Sequence, residues 1–207
     1  MSSVGTRLNQ LLAEARLGAV DEETAARFGD YISLILRWNA RINLTSVRDE
    51  EGILSRHIIE SIVLARLVPH RVASLLDFGS GAGLPGIPIA LCRPEIAVTL
   101  AESQGKKAAF LQEAVRSLGL SARVHAERAE MLNELFDCVA MRAVDRMTEA
   151  ARVAARQARP GGWLALMTTE GELERLKDSV GAEFSWQEPT LLPGSEARLI
   201  ALGKRRV

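Results

Sequence analysis

The sequence predicts an α/β fold: a mainly parallel sheet of seven strands with an antiparallel edge hairpin, preceded by a helical extension. Three observations carry this. After Pro69, short apolar runs alternate with helix-period segments. A glycine-rich turn, Gly79-Ser80-Gly81-Ala82-Gly83, joins the first of these strands to its helix. The last two runs flank Pro193-Gly194, a connection too short for a parallel crossover.

The elements follow in order. In the extension, residues 1–69, Leu8, Leu11, Leu12 and Ala15 share one helical face. Asp21 before Glu22 and Glu23 is helix-start chemistry, with acids placed against the positive end of the dipole. That helix continues through Phe28, Tyr31, Ile32, Ile35 and Trp38. A break spans 39–45, and another helix starts near Asp49 and carries Ile53, His57, Ile58, Ser61 and Leu64. In the second unit, 70–207, strands are expected at 74–78, 96–102, 122–126, 136–141, 163–168, 184–188 and 198–202. Helices are expected at 84–93, stopped by Pro94, at 106–118, closed by Gly119, and at 148–156 and 173–180. Pro160-Gly161-Gly162 reads as a turn.

Composition sets bounds. A chain that is 47% hydrophobic can fill a core, so wholesale disorder is excluded. No apolar run approaches the roughly 20 residues that cross a bilayer. Residues 1–10 lack a leader-like apolar core, and a cytoplasmic location is expected. Cys92 and Cys138 are expected to be small buried hydrophobes, not a disulfide or a metal pair. The three histidines add no metal-ligand spacing, so no metal is expected. The formal net charge is zero, so any nucleic-acid binding must use local basic patches. A monomer is the default for a chain of this size and mixed charge.

The glycine turn lies where open parallel sheets bind ligands. Glycines there let the backbone approach a ligand closely and adopt positive φ. The spacing of Gly79, Gly81 and Gly83 is close to a dinucleotide-binding pattern and does not by itself choose the ligand. Asp77, just before it, could accept a hydrogen bond from the amino-acid end of a ligand, directly or through water. Glu102 ends the second strand, where a carboxylate can accept from both hydroxyls of a ribose. S-adenosylmethionine and a nicotinamide dinucleotide both offer that ribose. Only the dinucleotide brings a pyrophosphate, which wants a bare helix N-terminus. Pro85 and Pro88 crowd that first turn and remove amide donors, which favours S-adenosylmethionine.

These residues also carry a resemblance. The stretch Asp77-Phe78-Gly79-Ser80-Gly81-Ala82-Gly83-Leu84-Pro85-Gly86-Ile87-Pro88 resembles the loop of the bacterial ribosomal RNA small-subunit methyltransferase G family, once called glucose-inhibited division protein B. Trp38-Asn39, Ile42-Asn43-Leu44-Thr45-Ser46, Arg56-His57-Ile58 with Ser61, Glu102-Ser103, Lys106-Lys107, Phe110-Leu111, Phe136-Asp137, Arg142-Ala143 and Leu192-Pro193-Gly194 extend it over essentially the whole chain. The resemblance implies a Rossmann-like class I methyltransferase fold. It implies an enzyme that methylates ring nitrogen 7 of a guanine in small-subunit (16S) ribosomal RNA, with S-adenosyl-L-methionine as donor and the RNA or the small ribosomal subunit as partner. It puts cofactor contacts on Gly79, Leu84, Ala129, Glu130 and Arg142, with Ser103 beside Glu102 in the same set, and Ala129-Glu130 around the adenine. Arg142, near the expected transfer centre, is the one candidate catalytic residue. One departure stands out: where the family carries a Lys-Gly pair after the fifth strand, this sequence has Thr168-Thr169.

Ring nitrogen 7 has a lone pair and no proton, so the resemblance implies in-line transfer without a general base. Other polar residues have plainer roles open to them. His57, next to Ile58 and Ile59, reads first as a satisfied core or interface histidine. Asn39 and Asn43 flank a helix break, where asparagines cap backbone; RNA contact is the second role. Arg37, Arg41, Arg48, Arg56 and Lys204-Arg205-Arg206 fit a phosphate surface or an ordinary solvated face equally. Lys106-Lys107 at a helix start opposes the dipole, which hints at an anion. Two other functions stay open: a nicotinamide-dependent oxidoreductase and a non-catalytic cofactor-binding or assembly protein.

Overall fold

The computed structural model describes residues 3–144 and 146–207. Met1 and Ser2, included in the leader and extension expectations, lie outside them.

The N-terminal helices form because their apolar faces are continuous and their starts are capped. α1 (Ser3–Glu14) buries Leu8 and Leu12 completely, each burial stabilising the fold by roughly 2 kcal/mol. α2 (Glu22–Asn39) starts where Asp21 accepts the Thr24 amide at 2.8 Å. It buries Phe28, Tyr31, Ile32 and Ile35. The helix expected near Asp49 begins with the Asp49 carboxylate accepting the Gly52 amide. It is irregular, as its apolar pattern did not disclose: α3 (Glu50–Gly52) passes into a π-helical stretch (Ile53–Ile58) before α4 (Ile59–Leu67). Such wide turns concentrate at functional sites, and this one holds Arg56 and His57.

The sheet runs β3 (Arg123–His125), β2 (Ala97–Ala101), β1 (Ser74–Phe78), β4 (Phe136–Arg142), β5 (Ala158–Thr169), β8 (Arg198–Arg205), β6 (Phe184–Trp186). The first five strands are parallel; β8 is antiparallel to both β5 and β6. An eighth strand of two residues, β7 (Thr190–Leu191), also pairs with β8. It is too short to carry an alternating pattern, so the seven-strand expectation missed it. Period-two alternation divides the core. Leu75, Cys138, Ala140, Ala165 and Ile200 point to one face, packed by α1, α2, α4, α5 (Gly86–Cys92) and α6 (Gly105–Ser117). Leu76, Phe78, Val139, Met141, Leu164 and Leu166 point to the other, packed by α7 (Met147–Gln157) and α8 (Glu170–Val180). The N-terminal helices thus share a core with the sheet. Tyr31, fully buried in α2, donates its hydroxyl to the Ala82 carbonyl of the glycine turn at 2.5 Å.

Several local expectations are corrected. The first sheet helix starts at Gly86, not residue 84, after the cis Leu84-Pro85 bond. Residues 159–162 do not end an element but bulge out within β5, where the pairing jumps from Phe136–Ala158 to Cys138–Trp163. Gly161 supplies the positive φ that this bulge needs. α8 begins three residues earlier than its apolar pattern indicated. Cys138 is buried, but Cys92 is only partly so, and both thiols are free.

Candidate active site

A cavity of about 1170 Å³ opens over the C-terminal ends of the parallel strands. Pockets for one drug-sized ligand span roughly 300–1,000 Å³, so this one has room for two small groups side by side. Phe78, Glu102 and Arg142 reach it from the ends of β1, β2 and β4; Thr168 and Arg198 come from β5 and β8.

One end is built by the glycine turn and Glu102. Gly79, Gly81 and Gly83 all have positive φ. They differ in surroundings: a Cβ on Gly81 would meet nothing closer than 3.9 Å, whereas one on Gly83 would sit 2.5 Å from Ile87 Cδ1. Gly81 therefore leaves open space, and Gly83 lets α5 close onto the turn. Glu102 is buried at 6% exposure and fastens the turn, its Oε2 accepting the Gly81 amide at 3.0 Å and its Oε1 the Gln104 amide at 2.7 Å. Each oxygen keeps a further acceptor site. The short 3-10 helix Ala129–Met131 lies on the same rim, and Val144, Met147, Ala150 and Val153 give the wall an apolar stretch.

Asp77 is fully buried behind the turn and does not line the cavity. Its Oδ2 accepts the Gly86 amide at 3.0 Å, while Oδ1 has no partner among the described residues. Burial pushes its carboxyl up to about 7, against the pull of the Gly86 amide. The first turn of α5 offers no spare amide. Gly86 donates to Asp77, Ile87 to the Gly83 carbonyl, Pro88 has no N–H, and Ile89 donates to the Pro85 carbonyl.

The other end is a buried polar network. Arg142, its side chain 14% exposed, directs Nη2 at Glu60 Oε2 and His57 Nδ1, both at 2.8 Å, and at the Arg56 carbonyl at 3.1 Å. Its Nη1 is buried without a partner among the described residues. Glu60, 2% exposed, is bracketed by Arg142 on one oxygen and Arg198 on the other. Burial pushes the Glu60 carboxyl up, and the guanidiniums of Arg142 and Arg198 oppose that shift. His57 places Nε2 at 2.7 Å from Thr45 Oγ1. Its imidazole is pushed down to about 3 by burial and by the charge of Arg142, so it is neutral. The loop bearing Thr45 is held by Asn39, whose side chain uses four contacts: to the carbonyls of Thr45 and Val47 and from the amides of Leu44 and Thr45.

Of the residues expected at the site, Gly79, Gly81, Leu84, Glu102, Ser103, Ala129, Glu130 and Arg142 line one cavity; Asp77 and Gly83 stand behind it. Asn39 is a loop clamp, as a capping role anticipates. Asn43 accepts from Arg48, which also donates to the Asn39 carbonyl. Arg37 pairs with Glu113 and Arg205 with Glu183. Arg56 and Lys107 reach the cavity; Lys106 does not. His57 has a partner at each ring nitrogen, as a satisfied histidine does, and it also lines the cavity. Thr45, Glu60 and Arg198 were missed. The one available signal was His57 and Glu60 three apart on a helix face, the spacing of side chains that act together. Thr168 and Thr169, at the departure from the family pattern, both line the cavity, and Thr168 Oγ1 lies 3.4 Å from Glu172 Oε2. None of the described helices is long and apolar enough to cross a membrane.

Comparison with known proteins agrees with this architecture. A family model described as rRNA small subunit methyltransferase G matches residues 24–192. A protein named Ribosomal RNA small subunit methyltransferase G from Stenotrophomonas maltophilia (strain K279a) is 43% identical over 169 residues, covering 80% of this chain and 77% of its own. The protein of that name from Xanthomonas campestris pv. campestris (strain B100) is 42% identical over 186 residues, covering 86% and 85%. Among solved structures, a methyltransferase from Pyrococcus furiosus superposes with a TM-score of 0.62 at 14% identity, covering 88% of this chain and 98% of its own. Magnesium protoporphyrin IX methyltransferase from Synechocystis PCC 6803, solved with bound SAM, gives 0.60 at 17% identity over 90% and 98%.

Proposed function

The chain belongs to the rRNA small subunit methyltransferase G family, and from that premise we propose that this methyltransferase moves the methyl group of S-adenosylmethionine to ring nitrogen 7 of a guanine in small-subunit ribosomal RNA. The observation that carries the proposal is the division of one cavity into two ends. Glu102, tied to the glycine turn, stands at one; Arg142, its buried Nη1 unpartnered among the described residues, stands at the other.

The residues present fit the donor. Glu102 has acceptor capacity left for ribose hydroxyls, and Gly79 and Gly81 open the turn to close approach. Ala129 and Glu130 edge the rim for an adenine, with the apolar stretch around Val153 beside it. Ser103 and Leu84 complete the set. Asp77 acts from behind, holding the start of α5. When bound, the donor supplies a sulfonium methyl group. A dinucleotide is disfavoured, because every amide of the first α5 turn is already used or absent, leaving nothing for a pyrophosphate.

At the acceptor end the chain's task is positioning. A nitrogen with a lone pair and no proton needs no base, and the neutral His57 and paired Glu60 are not poised as one. Arg142 is the candidate catalytic residue in the limited sense of orienting the reactants, with Glu60 and Arg198 fixing its plane. Holding donor and acceptor in line is worth several kcal/mol of barrier, at least about 7 where alignment is complete. Arg56 and Lys107 at the cavity mouth suit RNA phosphates. We propose a monomer acting in the cytoplasm.

The test is mass mapping of small-subunit ribosomal RNA from cells with and without the gene, paired with methyl transfer by purified protein to subunits from the deficient cells. One guanine methylated at nitrogen 7 is the expected result. No transfer to RNA in any assembly state would sink the proposal and leave the cofactor-binding assembly role.

A further inference from the structure

We propose that Thr45 is a specificity-determining residue that donates its hydroxyl proton to the oxygen at position 6 of the target guanine, with His57 the positioning residue that keeps it a donor. The inference rests on the guanine reading above and goes beyond it, since it says how guanine is told from adenine.

The chain of reasoning starts at Arg142. A guanidinium only donates hydrogen bonds. With Nη2 2.8 Å from His57 Nδ1, the tautomer we propose has that nitrogen accepting and unprotonated. The ring proton of the neutral imidazole is then on Nε2, which donates to Thr45 Oγ1 across 2.7 Å. The Val47 amide donates to the same oxygen at 3.2 Å. Both lone pairs of the hydroxyl are occupied, and its one remaining valence is the proton. Among the described residues no acceptor takes it, and Thr45 lines the cavity. The wall at this point therefore offers a donor and no acceptor.

Sheet order puts this point at the acceptor end. Glu102 leaves β2, on one side of β1; Arg142 leaves β4, on the other, and Thr45 joins Arg142 through His57. Guanine displays two acceptors on its major-groove edge, nitrogen 7 and oxygen 6; adenine displays nitrogen 7 and an amino donor. Nitrogen 7 is taken by the reaction, so position 6 is the polar handle left on that edge. A hydroxyl confined to donating pairs with oxygen 6 and meets the adenine amino group donor to donor. Arg142 alone does not need His57 for such a choice; the relay gives the imidazole a function that its burial and lost basicity leave unexplained.

The experiment uses the full-length protein and small subunits reconstituted with guanine or 2-aminopurine at the mapped target position. 2-aminopurine keeps nitrogen 7 and lacks oxygen 6. Wild-type kcat/KM is expected to favour guanine by about ten- to hundredfold. Thr45→Val should lose about that factor on guanine and little on 2-aminopurine, so the preference collapses. Thr45→Ser should restore it, and the Kd for S-adenosylmethionine should move in neither. Equal wild-type rates on the two bases overturn the proposal without any variant. So does a Thr45→Val protein that keeps the preference, or one that loses both activities alike, which marks a structural role. A wild-type protein that methylates no guanine overturns the underlying functional reading instead.

Discussion

Arg142 Nη2 meets Glu60 Oε2 at 2.8 Å, although the two residues are 82 apart in the chain. The contact closes the proposed acceptor end of the cavity, because Glu60 holds Arg198 on its other oxygen. Removing the carboxylate with Glu60→Ala leaves two guanidiniums facing each other at the half-buried wall of the cavity. The expected cost is about 3 kcal/mol in urea unfolding, at the low end for breaking a buried pair because both arginines still touch the cavity. Methyl transfer should fall further than donor binding. A variant as stable as the wild type would show that Arg142 is held by the Arg56 carbonyl and His57 alone.

Glu102 faces the other end. Glu102→Ala removes the acceptor proposed for the ribose and frees the Gly81 amide. Hydrogen bonds to a charged group contribute about 1.5–3 kcal/mol each, so calorimetry should find the Kd for S-adenosylmethionine raised roughly ten- to hundredfold or more. An unchanged Kd would remove Glu102 from the donor site.

The glycines of the turn should separate under substitution. Gly81→Ala meets open space and should cost only its positive φ, about 1–2 kcal/mol. Gly83→Ala adds a methyl 2.5 Å from Ile87 Cδ1 and 3.1 Å from Leu111 Cδ2, in a filled core. That overpacking contributes a further 1–3 kcal/mol or so. Equal unfolding midpoints for the two variants would contradict the difference.

Asp77 predicts a pH effect. The buried carboxyl holds its proton up to about pH 7, whereas its ordinary value is 3.8. Folding therefore takes up a proton between those values; this contribution to stability is fully present below pH 3.8 and is lost as pH rises through 7. His57 works in the opposite sense. Its pKa falls from 6.5 to about 3, so its contribution is present above pH 6.5 and is lost as pH falls toward 3. The wild-type curve blends the two, and the difference from Asp77→Asn isolates the carboxyl. Between pH 5 and pH 8 the variant should gain on the wild type by roughly 1–3 kcal/mol in urea unfolding. A pH-independent difference would mean that Asp77 is ionised throughout.

Much of this protein was legible in one dimension. Period-two runs such as Leu75-Leu76 with Val139-Ala140 divide between the two faces of the sheet as alternation requires. Asp21 and Asp49 cap the helices that their positions announce. The glycine turn and Glu102 reach one cavity, because strand–turn–helix chemistry is local and fixes both within 25 residues. The π-helical stretch, the bulge at 159–162 and the two-residue β7 were not legible, since each depends on packing and pairing and not on residue pattern.

The sequence by itself determined the sheet, the glycine-turn end of the cavity and, through its resemblance, the family. Only the tertiary structure decided what surrounds Arg142 at the other end. Thr45, His57, Glu60, Arg142 and Arg198 come from four separate segments, and their spacing along the chain has no period. What joins them is desolvation: a buried carboxylate must find cations, a buried guanidinium must find acceptors, and a buried imidazole must find a partner for each ring nitrogen. Those obligations arise only once folding has removed the water, and beyond the spacing of His57 and Glu60 they leave no mark in the order of the residues.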